Sequence, residues 1–399
     1  MSVFNSLGSN YRPSAVMQAL SGIHQPGAAQ KLTALLEERY GGHATLVYKG
    51  REALCLAFKT LDLPKGSAVA ISGFTCFAVY KAVESAGLEA HFMDIEPEQL
   101  NFSAATLAAA VESNPAIKAV VIQNTLGYAC DIQGIVEVCR KHGIMLIEDL
   151  AHSPGIVYAD GGEAGTVGDF VMLSFGRDKM IDAVSGGALV ARNPKYQLKS
   201  SSRLPKPPLT PRFRDHLYPL LTAKIRFGYG FGIGKLVHAA YKALGLLSRS
   251  VDGEFYQGHR LPGWYCALTL KGFSTLESNL ARRQRIAQVY AQTLQRGVQF
   301  LELPSQTPQA SNLRFPIRVR HRDELIQYLA QQQIFIADTW YDAPIAPPRY
   351  IEKTTYQKGQ CPGSEQVVAH ILNLPTHRAI SESDALNISE HINAWLKSK

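Results

Sequence analysis

The residues best suited to chemistry lie in Val171–Gly187, VMLSFGRDKMIDAVSGG. An apolar strand ends at Ser174-Phe175, a polar loop carries Lys179, and Gly186-Gly187 leads into a second strand, Ala188–Ala191. A lysine on a loop at a strand end, beside backbone that can approach a ligand closely, suits a covalent anchor for a carbonyl group. A second candidate is Asp149, which closes the apolar run Met145-Leu-Ile-Glu-Asp149. A carboxylate there can keep a pyridine nitrogen protonated, so that the ring draws electrons from a bound substrate. A third is Gly50, which opens a helix next to Arg51. Free N–H groups at a helix start and a guanidinium beside them suit a phosphate. A fourth is Ser174, five residues before Lys179, whose hydroxyl can donate to the same phosphate. An amine, an acid and a phosphate cradle together are the demands of pyridoxal phosphate (PLP). Freed by an amino substrate, the lysine would then act as a general base. Taken singly, each signal has an ordinary structural reading: a solvated lysine, a strand-end acid capping a helix, a glycine before a helix, a strand-end serine.

The elements around these residues supply the positions. Apolar strands at Ala68–Ser72, Ala90–Ile95, Ala119–Gln123, Met145–Glu148, Phe170–Ser174 and Ala188–Ala191 alternate with helices near Cys76–Ala86, Ala104–Glu112 and Ile132–Lys141. Continuous apolar strands alternating with helices predict an α/β fold, a mostly parallel sheet covered on both faces. Ligands of such sheets sit at the carboxyl ends of the strands, where Asn124, Asp149, His152 and Ser174 cluster. A helix near Ala29–Tyr40, a strand Thr45–Tyr48 and the helix Arg51–Leu61 precede this core. After Pro262 the pattern predicts a long helix with Arg282, Arg283 and Arg285 on or near its exposed side. Strand, helix and strand follow at Arg314–Val319, Arg322–Gln332 and Ile334–Asp338, and a closing helix at Asp384–Leu396. The expected division is a large domain over 1–255 and a smaller α+β domain over 256–399.

The segment 193–255 interrupts this order. It begins Pro-rich, and Arg212–Arg249 then combines Leu, Gly, Tyr and Phe with seven Lys/Arg and a single acid, Asp215. One reading is a packing insertion or an oligomer contact. The other is a basic amphipathic element that makes peripheral contact with an anionic membrane through 212–249.

Composition bounds the function. The chain has 399 residues, of which 46% are hydrophobic and 19% charged, enough apolar content for a large core. The net charge of +8 fits phosphorylated substrates, an anionic surface or nucleic acid. Without a dense Lys/Arg block or an RNA-binding aromatic motif, nucleic acid is set aside as a partner. Cysteines 55, 76, 130, 139, 266 and 361 form no CxxC pair, so reduced thiols are expected, with neither a disulfide framework nor a metal site. The N-terminus lacks signal-peptide character and no apolar run is long enough to span a bilayer. A cytoplasmic protein is the expectation, with a place at the inner face of the membrane as the second reading.

The stretches GREAL (50–54), SGFTCFAV (72–79), GLEAHFMDIEPEQLN (87–101), IEDLAHSPG (147–155), GTVGDFVMLSFGRDK (165–179), SGGALV (185–190), LARRQRIAQVYAQTL (280–294) and LNLPTH (372–377) occur in one order. In that order they resemble the sugar aminotransferases of the DegT/DnrJ/EryC1/StrS family, PLP enzymes of fold type I. The resemblance implies that Lys179 is the Schiff-base lysine and Asp149 the partner of the pyridinium nitrogen. It places His152 against the cofactor, and Ser174 with the Gly50–Arg51 amides at its phosphate. It also implies amino transfer from an amino acid, usually glutamate, to a nucleotide-linked keto sugar, and a homodimer whose sites are shared. A lysine at 179, where related dehydratases carry histidine, favours amino transfer. Other PLP chemistry on this fold, a lyase or sugar dehydratase, and a non-catalytic regulatory descendant are the alternatives. The chain departs from the family at several points. Lys49-Gly50-Arg51 stands for Ser-Gly-Thr. Cys76, with Phe77 beside it, stands where an aromatic covers the ring. Asn124 replaces a histidine, which would let its amide reach the cofactor's phenolic oxygen. Gly258-His259-Arg260 is all that resembles the motif usually lent to the neighbouring subunit.

Overall fold

The computed structural model describes residues 3–11, 26–198, 200–247, 257–295, 301–304, 310–337 and 339–399. Seven strands form the central sheet: β2 (His43–Val47), β3 (Ala68–Ser72), β5 (Glu89–Met93), β6 (Ile117–Ile122), β7 (Met145–Asp149), β8 (Phe170–Ser174) and β9 (Gly187–Ala191). Their spatial order is β2-β9-β8-β7-β6-β3-β5. Five neighbours, from β8 to β5, run parallel, while β9 runs antiparallel to both β8 and β2. The strands read as unbroken apolar runs because helices cover both faces. One layer holds α1 (Ala28–Tyr40), α4 (Ala104–Ser113) and α5 (Ile132–His142), whose Leu36, Leu107 and Ile135 join Val120, Leu146 and Val171 in one buried cluster. The other holds α2 (Gly50–Leu61) and α3 (Phe77–Ser85), with Leu54, Phe58 and Val83 against Val69, Ile147 and Leu189. Alternate residues of each strand thus serve opposite cores.

The expected elements of the large lobe all form, most with bounds shifted by one or two residues. The small lobe differs more. Its sheet is antiparallel and three-stranded, β10 (Leu301–Glu302), β11 (Phe315–Val319) and β14 (Ile371–Leu374). The strand in LNLPTH was not foreseen. The strand expected at Ile334–Asp338 is the short β12 (Ile334–Phe335), and it pairs with β1 (Val3–Phe4) near the N-terminus instead of joining that sheet; Asp338 lies outside the described residues. The long helix after Pro262 is two, α8 (Gly263–Phe273) and α9 (Leu276–Thr293). Helix α8 buries Trp264, Tyr265, Cys266 and Phe273 in the large-lobe core, while Ile286 and Tyr290 of α9 pack with β11, β14 and the closing helix α12 (Glu382–Lys397). The change of core therefore falls within α9, not near residue 256. Arg283 corrects another expectation. It is 1% exposed and donates to the Leu313 carbonyl and Thr376 Oγ1, both at 2.9 Å, so it ties α9 to the chain just before β11 and just after β14 instead of facing water.

Within the inserted segment, α6 (Leu209–Phe227) and α7 (Ile233–Ala243) form a helical pair. It is fixed to the large lobe by its one acid. Asp215, 1% exposed, accepts from Tyr48 Oη at 2.5 Å, Arg177 Nη2 at 2.7 Å and Tyr265 Oη at 3.2 Å.

Candidate active site

Register converges three backbone segments at one end of the sheet. Ser174 at the end of β8 pairs with Gly187 at the start of β9, and Gly187 pairs in turn with Val47 at the end of β2. The chain leaving β2 enters α2 directly above them. A Cβ on Gly50 would lie 2.8 Å from Ser174 Cβ and 2.9 Å from its Oγ, and a Cβ on Gly187 would lie 2.7 Å from Gly50 Cα. Both positions require glycine for close approach. The result is a helix N-terminus, with the side chains of Lys49 and Arg51 beside it and the Ser174 hydroxyl beneath, all on the wall of one cavity of ≈ 780 Å³. Gly176 to Lys179, Asp149, Cys76 and Gln123 line the same space.

The neighbouring acids Glu148 and Asp149 point to opposite sides of β7 and do different work. Glu148 is saturated by Tyr158 Oη at 3.0 Å and by the N–H groups of Gly165, Val167 and Gly168 at 2.7, 2.9 and 2.6 Å, and so secures the loop before β8. Among the described residues Asp149 accepts from Ala151 N–H, at 2.8 Å, and it lines the cavity. Burial pushes its pKa up to about 6, opposed by that N–H and by the charge of Lys179. Lys179 Nζ lies 4.5 Å from the centre of the Trp340 ring, and burial lowers the pKa of its amine. Its loop is braced by Asp182, which accepts from the N–H groups of Asp178 at 2.9 Å and Val184 at 3.0 Å, and from Tyr11 Oη at 2.8 Å. Asp178 and Val184 both hold positive φ, 62° and 68°, conformations that need such bracing in non-glycine residues.

His152 is fully buried behind this wall. Its Nδ1 accepts from Leu126 N–H at 3.1 Å, which leaves the proton on Nε2, 3.4 Å from Tyr341 Oη. Burial holds its pKa well below the usual value, so the ring is neutral. Asn124 does not fulfil its expected role. It is not among the residues lining the cavity; it adopts φ 46°, donates to Tyr158 Oη at 2.9 Å and accepts from Cys130 N–H at 3.0 Å. Its amide is consumed in shaping a turn. The cavity is reached instead by its neighbour Gln123, which accepts from Thr75 Oγ1 at 2.7 Å and donates to Tyr341 Oη at 2.8 Å. Cys76 lines the cavity, whereas Phe77 stacks on Tyr350 in the core, with ring centres 4.6 Å apart.

Several lining residues carry no sequence signal of their own. Trp340, Tyr341 and Arg314 come from the small lobe. The first two are brought in by β13 (Ile345–Ala346), which pairs with β4 (Thr75–Cys76). Arg177 stands two residues before Lys179; its guanidinium lies 3.6 Å over the Tyr218 ring and pairs with Asp215. Lys49 Nζ stands 3.9 Å from the same carboxylate, and burial pushes its pKa down to about 8. Tyr218, Tyr229 and His238 of the inserted segment complete the outer wall. Gly258-His259-Arg260 does not reach this cavity: His259 donates from Nδ1 to Glu52 Oε1, 2.5 Å away, and Arg260 pairs with Val47.

The chain is similar to known proteins along most of its length. The model of the DegT/DnrJ/EryC1/StrS aminotransferase family matches residues 27–206 and 239–393. The unmatched stretch between them holds α6 and the first residues of α7. The GDP-perosamine synthase of Vibrio cholerae is 35% identical over 151 residues, 38% of this chain and 40% of that protein. The GDP-perosamine synthase of Caulobacter vibrioides is 25% identical over 349 residues, 86% of this chain and 82% of that protein. Among solved structures, DesV of S. venezuelae superposes with a TM-score of 0.73 at 20% identity, over 96% of this chain and 94% of that one.

Proposed function

Because this chain belongs to the DegT/DnrJ/EryC1/StrS family of PLP-dependent aminotransferases, we propose that it moves an amino group from an amino acid, glutamate in the first instance, to a nucleotide-linked keto sugar. The reading is carried by one observation: Lys179, Asp149 and the Gly50–Ser174 cradle open onto a single cavity. Relatives named as GDP-perosamine synthases, and so for a nucleotide-linked sugar, support the acceptor class.

The residues fit PLP. A phosphate needs hydrogen-bond donors and positive charge, which the N-terminal end of α2, the side chains of Arg51 and Lys49 and the Ser174 hydroxyl provide. A pyridinium nitrogen needs an anion in a dry setting, which Asp149 provides, and a carbonyl carbon needs an amine, which Lys179 provides. Held there, the cofactor supplies an electron sink for the bond broken at the substrate carbon.

The chain's own residues do the rest. With the cofactor bound, Lys179 would hold it covalently at rest; displaced by the donor's amino group, its Nζ would take the proton from the donor carbon and, in the return half-reaction, deliver one to the acceptor carbon. Burial favours the neutral amine that this requires. The Trp340 ring, against Lys179, restricts where Nζ can swing. His152, neutral and with its Nε2–H toward Tyr341 Oη, is not among the residues lining the cavity and acts indirectly, by orienting Tyr341, which does line it. Arg177, Lys49 and Arg314 set a positive field at the wall, suited to the donor's carboxylates and the acceptor's diphosphate. Asn124 acts indirectly, as a positioning residue for the turn before α5. A homodimer belongs to this reading, with the second copy adding to the acceptor side.

The test is a pair of half-reactions. With glutamate alone the protein should release 2-oxoglutarate stoichiometrically, and with a nucleotide-linked 4-keto sugar it should turn over continuously. Turnover that ignores every amino donor would refute the proposal in favour of a lyase or dehydratase.

A further inference from the structure

Nine large hydrophobic residues stand exposed among the described residues, and seven belong to the inserted segment: Leu209, Phe213, Phe227, Phe231, Ile233, Leu236 and Leu244. Phe227, Phe231 and Leu236 are 91%, 87% and 74% exposed. Scattered exposed hydrophobics are ordinary; seven on one helical pair are not. In α7, Ile233, Leu236, Ala240 and Leu244 recur at helical spacing as an apolar stripe, and Lys235 and Lys242 stand on the other side of the helix. Lys224, Lys235 and Lys242 are exposed, while the one acid between residues 209 and 247, Asp215, is buried in its contacts with Arg177, Tyr48 and Tyr265.

We propose that residues 209–244 are a docking surface for an anionic lipid bilayer, with the aromatic turn Phe227–Phe231 and the stripe of α7 entering the interface and the lysines meeting lipid phosphates. Charge decides between occupants. A two-fold contact with a second copy sets a patch against itself, and here it would cover the apolar stripe while leaving Lys235 and Lys242, on the other side of the helix, with no exposed acid from this segment to meet them. An anionic membrane complements both the cations and the apolar stripe. The segment lies on a bilayer instead of crossing it, since no described helix is long and apolar enough to span one. The inner residues of the same segment, Tyr218, Tyr229 and His238, line the cavity that holds Lys179. Docking therefore sets one wall of the cavity beside the lipid surface.

The full-length, cofactor-loaded protein should float with phosphatidylcholine vesicles containing phosphatidylglycerol, float poorly with phosphatidylcholine alone, and detach in high salt. The combined variant Phe227→Ser, Phe231→Ser, Leu236→Ser should bind about tenfold more weakly or worse, with its visible cofactor band and its response to glutamate intact. That band reports the reaction, and flotation reports the surface, so each can fail without the other. No flotation of the parent protein, equal binding to neutral vesicles, or undiminished binding by the variant would overturn the proposal. So would a parent that ignores vesicles while the variant changes oligomeric state, which would identify the patch as a contact between copies.

Discussion

Replacing Asp215 by alanine should release the inserted helices and disturb the cavity behind them. The carboxylate is 1% exposed and receives hydrogen bonds from Tyr48, Arg177 and Tyr265 at 2.5, 2.7 and 3.2 Å. Burial and the carboxylate raise the pKa of both tyrosines, so they remain donors. The alanine variant leaves the buried Arg177 guanidinium without its counter-charge. Breaking a buried pair from one side costs about 3–5 kcal/mol. With an unfolding entropy of about 2.1 cal/mol/K per residue, a chain of this length should lose about 4–6 °C in Tm. Asp215 is also the largest influence holding the Lys49 amine charged against burial. Without it, Lys49 should titrate below its present value of about 8, so that a smaller fraction of it carries charge at pH 7.5. Cofactor affinity should therefore fall along with Tm, although Asp215 itself is not among the residues lining the cavity. Differential scanning calorimetry of the holoprotein and a cofactor titration of the apoprotein read the two effects. A variant with unchanged Tm would refute the buried-pair reasoning. A lowered Tm with unchanged cofactor affinity would refute the role given to Lys49.

Two further variants probe the cradle and the acid. Gly50→Ala places a methyl 2.8 Å from Ser174 Cβ, so strand and helix must part; it should cost about 1–3 kcal/mol and weaken cofactor retention on dialysis, and full retention would show that close approach at this point is unimportant. Asp149 has a pKa raised to about 6, so its anion forms as pH rises through 6 and is lost below it; cofactor affinity should climb across that interval, and Asp149→Asn should abolish the step and lower kcat by about 10²–10³. The same step persisting in the asparagine variant would assign it to another group.

The large lobe was legible because its signals are local. Strands such as Ala68–Ser72 and Phe170–Ser174 are unbroken apolar runs closed by turns, and the helices between them have period-3.6 faces. Lys179, Asp149, Ser174 and Gly50 could be read because each sits at the end of such an element. What escaped depends on tertiary contact. Trp340 and Tyr341 reach the cavity through the pairing of two two-residue strands, which leave no periodic trace. Asn124 sits at a strand end as a binding residue would, yet its side chain is spent on Tyr158 and Cys130. Arg283 looked like a solvated member of a basic run and is buried under β11, because a helix turns neighbouring residues by about 100° and only the fold says which side faces inward. Asp215 was visible as the one acid in a basic stretch; that it is the anchor of that stretch appears only when Arg177 and Tyr48 stand beside it.

The central claim is that Lys179, Asp149 and the Gly50 cradle together bind PLP and exchange an amino group through it. Visible absorbance of the purified protein, before and after glutamate, tests it most directly. The account predicts a yellow band that bleaches on adding glutamate, and no covalently linked band in Lys179→Ala even with PLP supplied. A protein that stays colourless with PLP in excess, or a Lys179→Ala variant that keeps the parent's band and its response to glutamate, would contradict it.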